Sequence, residues 1–175
     1  MEKLVYFGVC LLGCLAFCPT AEGARNRSLA LPRSRCPPGA FYFQKMCYEY
    51  LKESASWQDA EVSCQYWRKG NLASILNEVE GAVISSYAKS VSSEKTAWIG
   101  LNAITLPEKL FWMWSDGSEY IPGSQLWDKR TPDTMISDNK CITLINLQKP
   151  NEKSRWKQTC CSDKRNYICK YKAAF

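Results

Sequence analysis

Ten cysteines and no histidine decide what chemistry this 175-residue chain can do. Without imidazole there is no Ser-His-Asp or Cys-His pair, and no metal site built on histidine. The sequence also has no glycine-rich phosphate cradle and no nucleophile elbow, so it does not read as an enzyme. The cysteines read as structure instead. Cys10, Cys14 and Cys18 lie in an N-terminal apolar run, which leaves Cys36, Cys47, Cys64, Cys141, Cys160, Cys161 and Cys169. Seven is odd. In an oxidising compartment six can pair, and one remains either inert or bonded to another chain. The spacings do not give two CxxC pairs, which argues against zinc. Asn26-Arg27-Ser28 is an N-glycosylation acceptor.

The apolar run from Leu4 to Phe17 follows Lys3 and leads to small residues at Ala21 and Gly23. This describes a secretory signal over residues 1–23, with cleavage after Ala21 as the alternative. An uncleaved anchor is the rival reading, but the run falls short of the about 20 apolar residues a span needs. Residues 24–35 form a polar lead-in whose Arg25, Arg27, Arg33 and Arg35 invite trimming. Losing Glu2, Lys3 and Glu22 with the signal raises the net charge of +6 by one. The basic residues are scattered, so the charge reads as solubility, with attraction to acidic surfaces as the alternative. A nucleic-acid partner is not implied.

The elements that position these residues are short. Cys36-Pro37-Pro38-Gly39 is a turn, and Phe41, Phe43 and Cys47 to Tyr50 read as strand. Ser56 opens a helix with Asp59 at the capping-box position; Trp57, Ala60, Cys64 and Trp67 supply its apolar spacing. Gly70-Asn71 ends it. Asn77 caps a second helix, with Glu80 in the capping box and Val79, Val83, Ile84 and Tyr87 as its apolar face. Gly81 weakens this helix by about 1 kcal/mol relative to alanine. Strands follow at Trp98 to Leu101, Phe111 to Trp114, Cys141 to Leu147 and Tyr167 to Tyr171, with a turn at Asp116-Gly117. Residues 118–140 form a long loop, a feature that is usually functional or disordered. Two helices followed by short strands indicate an α+β domain.

Trp98-Ile99-Gly100-Leu101, then Phe111-Trp112-Met113-Trp114-Ser115-Asp116-Gly117, then Trp127 and Cys141…Trp156…Cys161…Cys169 resemble the C-type lectin-like domain. The resemblance spans residues 36–172. Gly70 to Leu76, Glu80-Gly81-Ala82 and the tail from Trp156 to Lys172 are most similar to the secreted regenerating, or lithostathine and pancreatitis-associated, proteins. The resemblance implies two helices, small antiparallel sheets and a long loop, stapled by Cys36–Cys47, Cys64–Cys169 and Cys141–Cys161. Cys160 has no counterpart in the family pattern, and Cys160 and Cys161 could exchange roles.

Many members of that superfamily bind sugar through calcium. The motif is Glu-Pro-Asn or Gln-Pro-Asp in the long loop, an acid two residues before a cysteine, and Asn-Asp after a tryptophan. Calcium takes six to eight hard oxygens, several of them anionic. Here the loop reads Thr131-Pro132-Asp133, Asn139 stands before Cys141, and Lys157 and Gln158 follow Trp156. Only Asp133 keeps an anion, and the Lys157 ammonium repels a divalent cation. The expectation is no calcium at this site and no other cofactor; Asp128 and Asp138 are nearby acids that read as a solvated loop.

The resemblance still implies calcium-independent binding of mannan or peptidoglycan. Thr131, Pro132, Asp133 and Asn139 would make the contacts, with Trp127 or Tyr120 as an apolar platform. Trp98, Trp112, Trp114, Trp127 and Trp156 nevertheless read first as core, where large aromatics usually lie. The leading expectation is a secreted, calcium-independent glycan binder with a role in mucosal defence or regeneration signalling. The second is a protein-binding module, either a receptor ligand or a dimer linked through Cys160. The third is an extracellular or mineral matrix protein.

Overall fold

The computed structural model describes residues 35–107, 109–128 and 140–174. Chain order among them is β1 (Phe41–Phe43), β2 (Met46–Ala55), α1 (Trp57–Arg68), β3 (Asn71–Leu72), α2 (Glu78–Val91), β4 (Ala97–Thr105), β5 (Leu110–Trp114), β6 (Cys141–Ile145), β7 (Arg155–Thr159) and β8 (Arg165–Lys172). The strands form one network in the order β1-β2-β8-β4-β6-β7, with β3 on β8 and β5 on β4. The small sheets of the sequence reading are joined because β4 pairs with β8 in parallel and with β5 and β6 antiparallel. β4 can hold this central place because Ala97 to Leu101 are all buried. A Cβ on Gly100 would lie 2.5 Å from the Leu72 carbonyl oxygen, so only glycine fits this close backbone approach.

Both helix starts follow their sequence signals. The Ser56 hydroxyl accepts from Asp59 N at 3.2 Å, and Asn77 Oδ1 accepts from Glu80 N at 2.9 Å. The Trp57 indole then donates to Ile99 O at 2.9 Å and locks α1 onto β4. The buried stripe of α1 is Trp57, Ala60, Glu61 and Cys64. Trp67, expected on that face, is instead 69% exposed and lies edge-on to Tyr66. The stripe turns toward Glu61 because its carboxylate accepts from Leu72 N at 2.7 Å and Asn71 Nδ2 at 2.6 Å. The helix ends at Lys69, in the left-handed region at φ 54°, one residue before the expected Gly70.

In α2 the buried positions are Glu80, Gly81, Ile84 and Ala88, and Val79 is exposed. Leu126 explains Gly81: a Cβ there would lie 2.5 Å from its Cδ1. No sequence signal marks a strand at 155–159, yet β7 pairs with β6 along its whole length, from Cys141↔Thr159 to Ile145↔Arg155.

Disulfides join Cys36 to Cys47, Cys64 to Cys169 and Cys141 to Cys161. The second closes a sequence separation of 105 residues, tying α1 to β8, and contributes several kcal/mol in the chain-entropy picture. Beside it Arg68 holds Glu49 through two hydrogen bonds, one at 2.7 Å, and Tyr171 Oη donates to the same carboxylate at 2.7 Å. Burial alone would raise the Glu49 carboxyl, but these hydrogen bonds and the Arg68 charge hold it below the ordinary carboxylate value.

Candidate functional site

The alternation of β7 decides which residues face solvent beside the long loop. Trp156 points into the core, Lys157 is exposed and Gln158 is half-buried. Lys157 lies opposite Thr143 on β6, and Gln158 opposite Ile142. Both stems of the loop meet this strand. On one side Trp156 N donates to Leu126 O at 2.7 Å, and Asp128 N donates to Trp156 O at 2.9 Å. On the other, Cys141 pairs with Thr159, and Ala103 N donates to Lys140 O at 2.7 Å. The described chain therefore leaves at Asp128 and resumes at Lys140, with β7 between the two points.

Four tryptophans support the stems from below. Trp127 packs edge-on against Trp156 at 5.5 Å and Trp112 at 6.0 Å, and Trp114 meets Trp156 at 5.5 Å. Such edge-to-face pairs add about 0.5–1.5 kcal/mol each beyond area burial. This bears out the reading of Trp127 as core rather than as a sugar platform. It is 6% exposed, and its indole N–H is spent on Tyr120 Oη at 3.1 Å. Tyr120 itself is half-buried and keeps part of its ring in reach of solvent.

Of the residues assigned to the site, the structure brings Lys157 and Gln158 to the loop stems. Thr131, Pro132, Asp133 and Asn139 lie outside the described residues, as do Asp138, Asn26 and the segment 1–23. Asp128 is exposed. Cys160, at the end of β7, is half-buried and outside the three disulfides, with Sγ 3.2 Å from Ser162 Oγ.

A second polar constellation escaped the sequence reading. Glu80 does not close the capping box onto Asn77; its Oε2 accepts from Leu76 N at 2.7 Å. Its Oε1 accepts from Lys170 Nζ at 2.8 Å and from Tyr48 Oη. Lys170 also reaches Ser74 O at 3.0 Å and Ser74 Oγ at 3.1 Å, and Ser74 donates to Asp116. Burial, then the Glu80 carboxylate, pushes the Tyr48 phenol far above its ordinary range, so it remains a neutral donor. This network joins β2, β8 and the start of α2. The partners of Glu80 are 32 and 90 residues away along the chain, so no local pattern announces them.

With this geometry in place, residues 53–171 match the family model described as the lectin C-type domain. The chain belongs to the C-type lectin domain family. Human lithostathine-1-alpha is 31% identical over 166 residues, covering 93% of this chain and 94% of that protein. Human regenerating islet-derived protein 3-gamma is 32% identical over 167 residues, covering 93% and 92%. The crystal structure of human lithostathine matches with a TM-score of 0.65 at 31% identity, over 81% of this chain and 95% of that one. These relatives place the lectin-like domain in the regenerating and lithostathine group. Among its described residues no three His, Cys, Asp or Glu side chains gather as a metal site.

Proposed function

We propose that this lectin-like protein is secreted after loss of residues 1–23 and binds carbohydrate of the mannan or peptidoglycan type without calcium. Residues 24–35 form the lead-in, with Asn26 as its glycosylation site, and residues 36–172 form the binding domain. Thr131, Pro132, Asp133 and Asn139 contact the sugar hydroxyls. The observation that carries the reading is Lys157, exposed on β7 between the loop stems. An ammonium there repels a divalent ion and leaves hydrogen bonding as the means of holding a sugar. Among the described residues no helix is long and apolar enough to cross a membrane. The reading is of a binding protein rather than an enzyme.

The test is retention of the purified protein on insoluble mannan and peptidoglycan, in calcium and in EDTA. Equal retention in both, lost in Asp133→Ala, supports the proposal. Failure to bind in either condition refutes it.

Cys160 favours a second reading, a receptor ligand or a covalent dimer. Its thiol is outside the three disulfides and partly exposed. A non-reducing gel decides: a dimer band lost in Cys160→Ser supports this reading, and a monomer with one titratable thiol removes its covalent form.

A further inference from the structure

A cleft of about 500 Å³ runs between α2 and the turn joining β6 to β7. Its described lining shares no residue with the glycan positions proposed above. One wall is a helix face. Ala82, Ser85, Ser86 and Lys89 follow the i, i+3, i+4, i+7 spacing of a single stripe, presenting two hydroxyls and an ammonium. The floor includes Leu126, which lies against Gly81 because that position has no side chain.

The opposite wall carries the remaining chemistry. Lys89 Nζ donates to Lys149 O at 2.9 Å and to Glu152 O, so the ammonium closes the turn while keeping its charge at the cleft. Arg155 spends Nη1 on Gln125 O and has further donors on the same guanidinium. Lys153 makes no ion pair among the described residues. The two acids of the lining are already engaged. Glu78 accepts from Gln125 N at 3.2 Å, and Glu152 pairs with Lys149 at 2.8 Å. Cations outnumber acids in the lining, Lys89, Lys153 and Arg155 against Glu78 and Glu152.

Ser154 supplies the second, independent observation. It is 6% exposed, and its hydroxyl has no hydrogen-bond partner among the described residues. Buried polar groups are nearly always paired, and an unpaired one calls for an explanation. A ligand hydroxyl entering the cleft that Ser154 lines provides one.

We propose that this cleft is a second ligand site, for an acidic sugar residue. A pyranose ring lies over Leu126, its hydroxyls bond to Ser154, Ser85 and Ser86, and its sulfate or carboxylate is held by Lys89, Lys153 and Arg155. Cations of this kind suit an anionic oxygen cluster, and the arginine can engage it through two parallel bonds.

The test is an amide chemical-shift titration of the secreted chain with glucose 6-sulfate, glucuronate and neutral glucose at physiological salt. Either acidic sugar should shift the amides of Gly81 to Lys89 and Asn151 to Arg155, naming the anion, while glucose shifts them far less. Ser154→Ala should weaken binding about five-fold, the worth of one hydrogen bond, without lowering the melting temperature. Lys153→Gln should weaken it similarly, whereas Lys164→Gln, in an exposed pair with Asp59, should not. Asp133→Ala should leave it unchanged, which separates this cleft from the loop. The proposal is overturned if glucose matches the acids, if no amide of the cleft responds, if Lys164→Gln weakens binding as much as Lys153→Gln, or if Ser154→Ala binds as tightly as the parent.

Discussion

Replacing Lys170 by methionine should be among the most damaging single changes on this fold. The ammonium sits 2.8 Å from Glu80 Oε1, with side-chain exposures of only 10% and 4%. It also donates to Ser74 O at 3.0 Å and Ser74 Oγ at 3.1 Å. Methionine keeps the length but strips the cation, so the Glu80 charge remains buried with only Tyr48 and Leu76 N as donors. Removing one partner of a buried pair costs about 3–5 kcal/mol, because the other charge is left uncompensated. For a domain of this size that is a fall in melting temperature of roughly 10 °C. The assay is denaturant unfolding followed by tryptophan fluorescence with the disulfides intact. A double variant, Lys170→Met with Glu80→Gln, should regain about half the loss, since no charge is then buried. A single-variant cost below about 1 kcal/mol, the range of exposed pairs, would refute the reasoning. So would a double variant less stable than the single.

Glu49 should make stability depend on acid. Its folded value lies below the unfolded one, so its contribution is present above the unfolded carboxylate value, about pH 4, and disappears as pH falls through the folded value. Glu49→Gln should flatten that limb of the stability curve, and curves that stay parallel would contradict it. Gly81→Ala sets a Leu126 clash of about 1–3 kcal/mol against about 1 kcal/mol of helix propensity, so its net effect should run from neutral to about 2 kcal/mol of destabilisation. A more stable variant would mean that Leu126 moves aside freely. Combining Thr131→Glu, Asn139→Glu, Lys157→Asn and Gln158→Asp should create calcium-dependent thermal stabilisation, growing with the logarithm of calcium concentration, where the parent shows none. A calcium response in the parent would overturn the account of these four positions.

Local signals were legible where the chain itself supplies the partner. Ser56 and Asn77 cap the helices they precede, and the apolar run at Trp98 became the central strand. Signals that depend on distant chain were not. The spacing that put Trp67 on the core face missed that Glu61 reaches β3, and so rotates the buried stripe of α1 away from it. β7 went unseen because Arg155, Lys157 and Gln158 dominate its five residues, and only pairing with β6 makes them a strand. Trp127 read first as core from its residue type, but its three aromatic neighbours, which rule it out as a binding platform, are visible only in the fold. Glu80 carried a capping signature while its carboxylate served Lys170 and Tyr48 across the sheet. For the site, the sequence located Lys157 and Gln158 after Trp156, and the strand alternation explains why Lys157 faces out.

The central claim is that carbohydrate binding here does not pass through calcium. Isothermal titration of the purified chain with soluble mannan fragments, once in EDTA and once in excess calcium, is the test. The same dissociation constant is expected in both, with no binding in Asp133→Ala under either condition. Binding that appears only with calcium would contradict it.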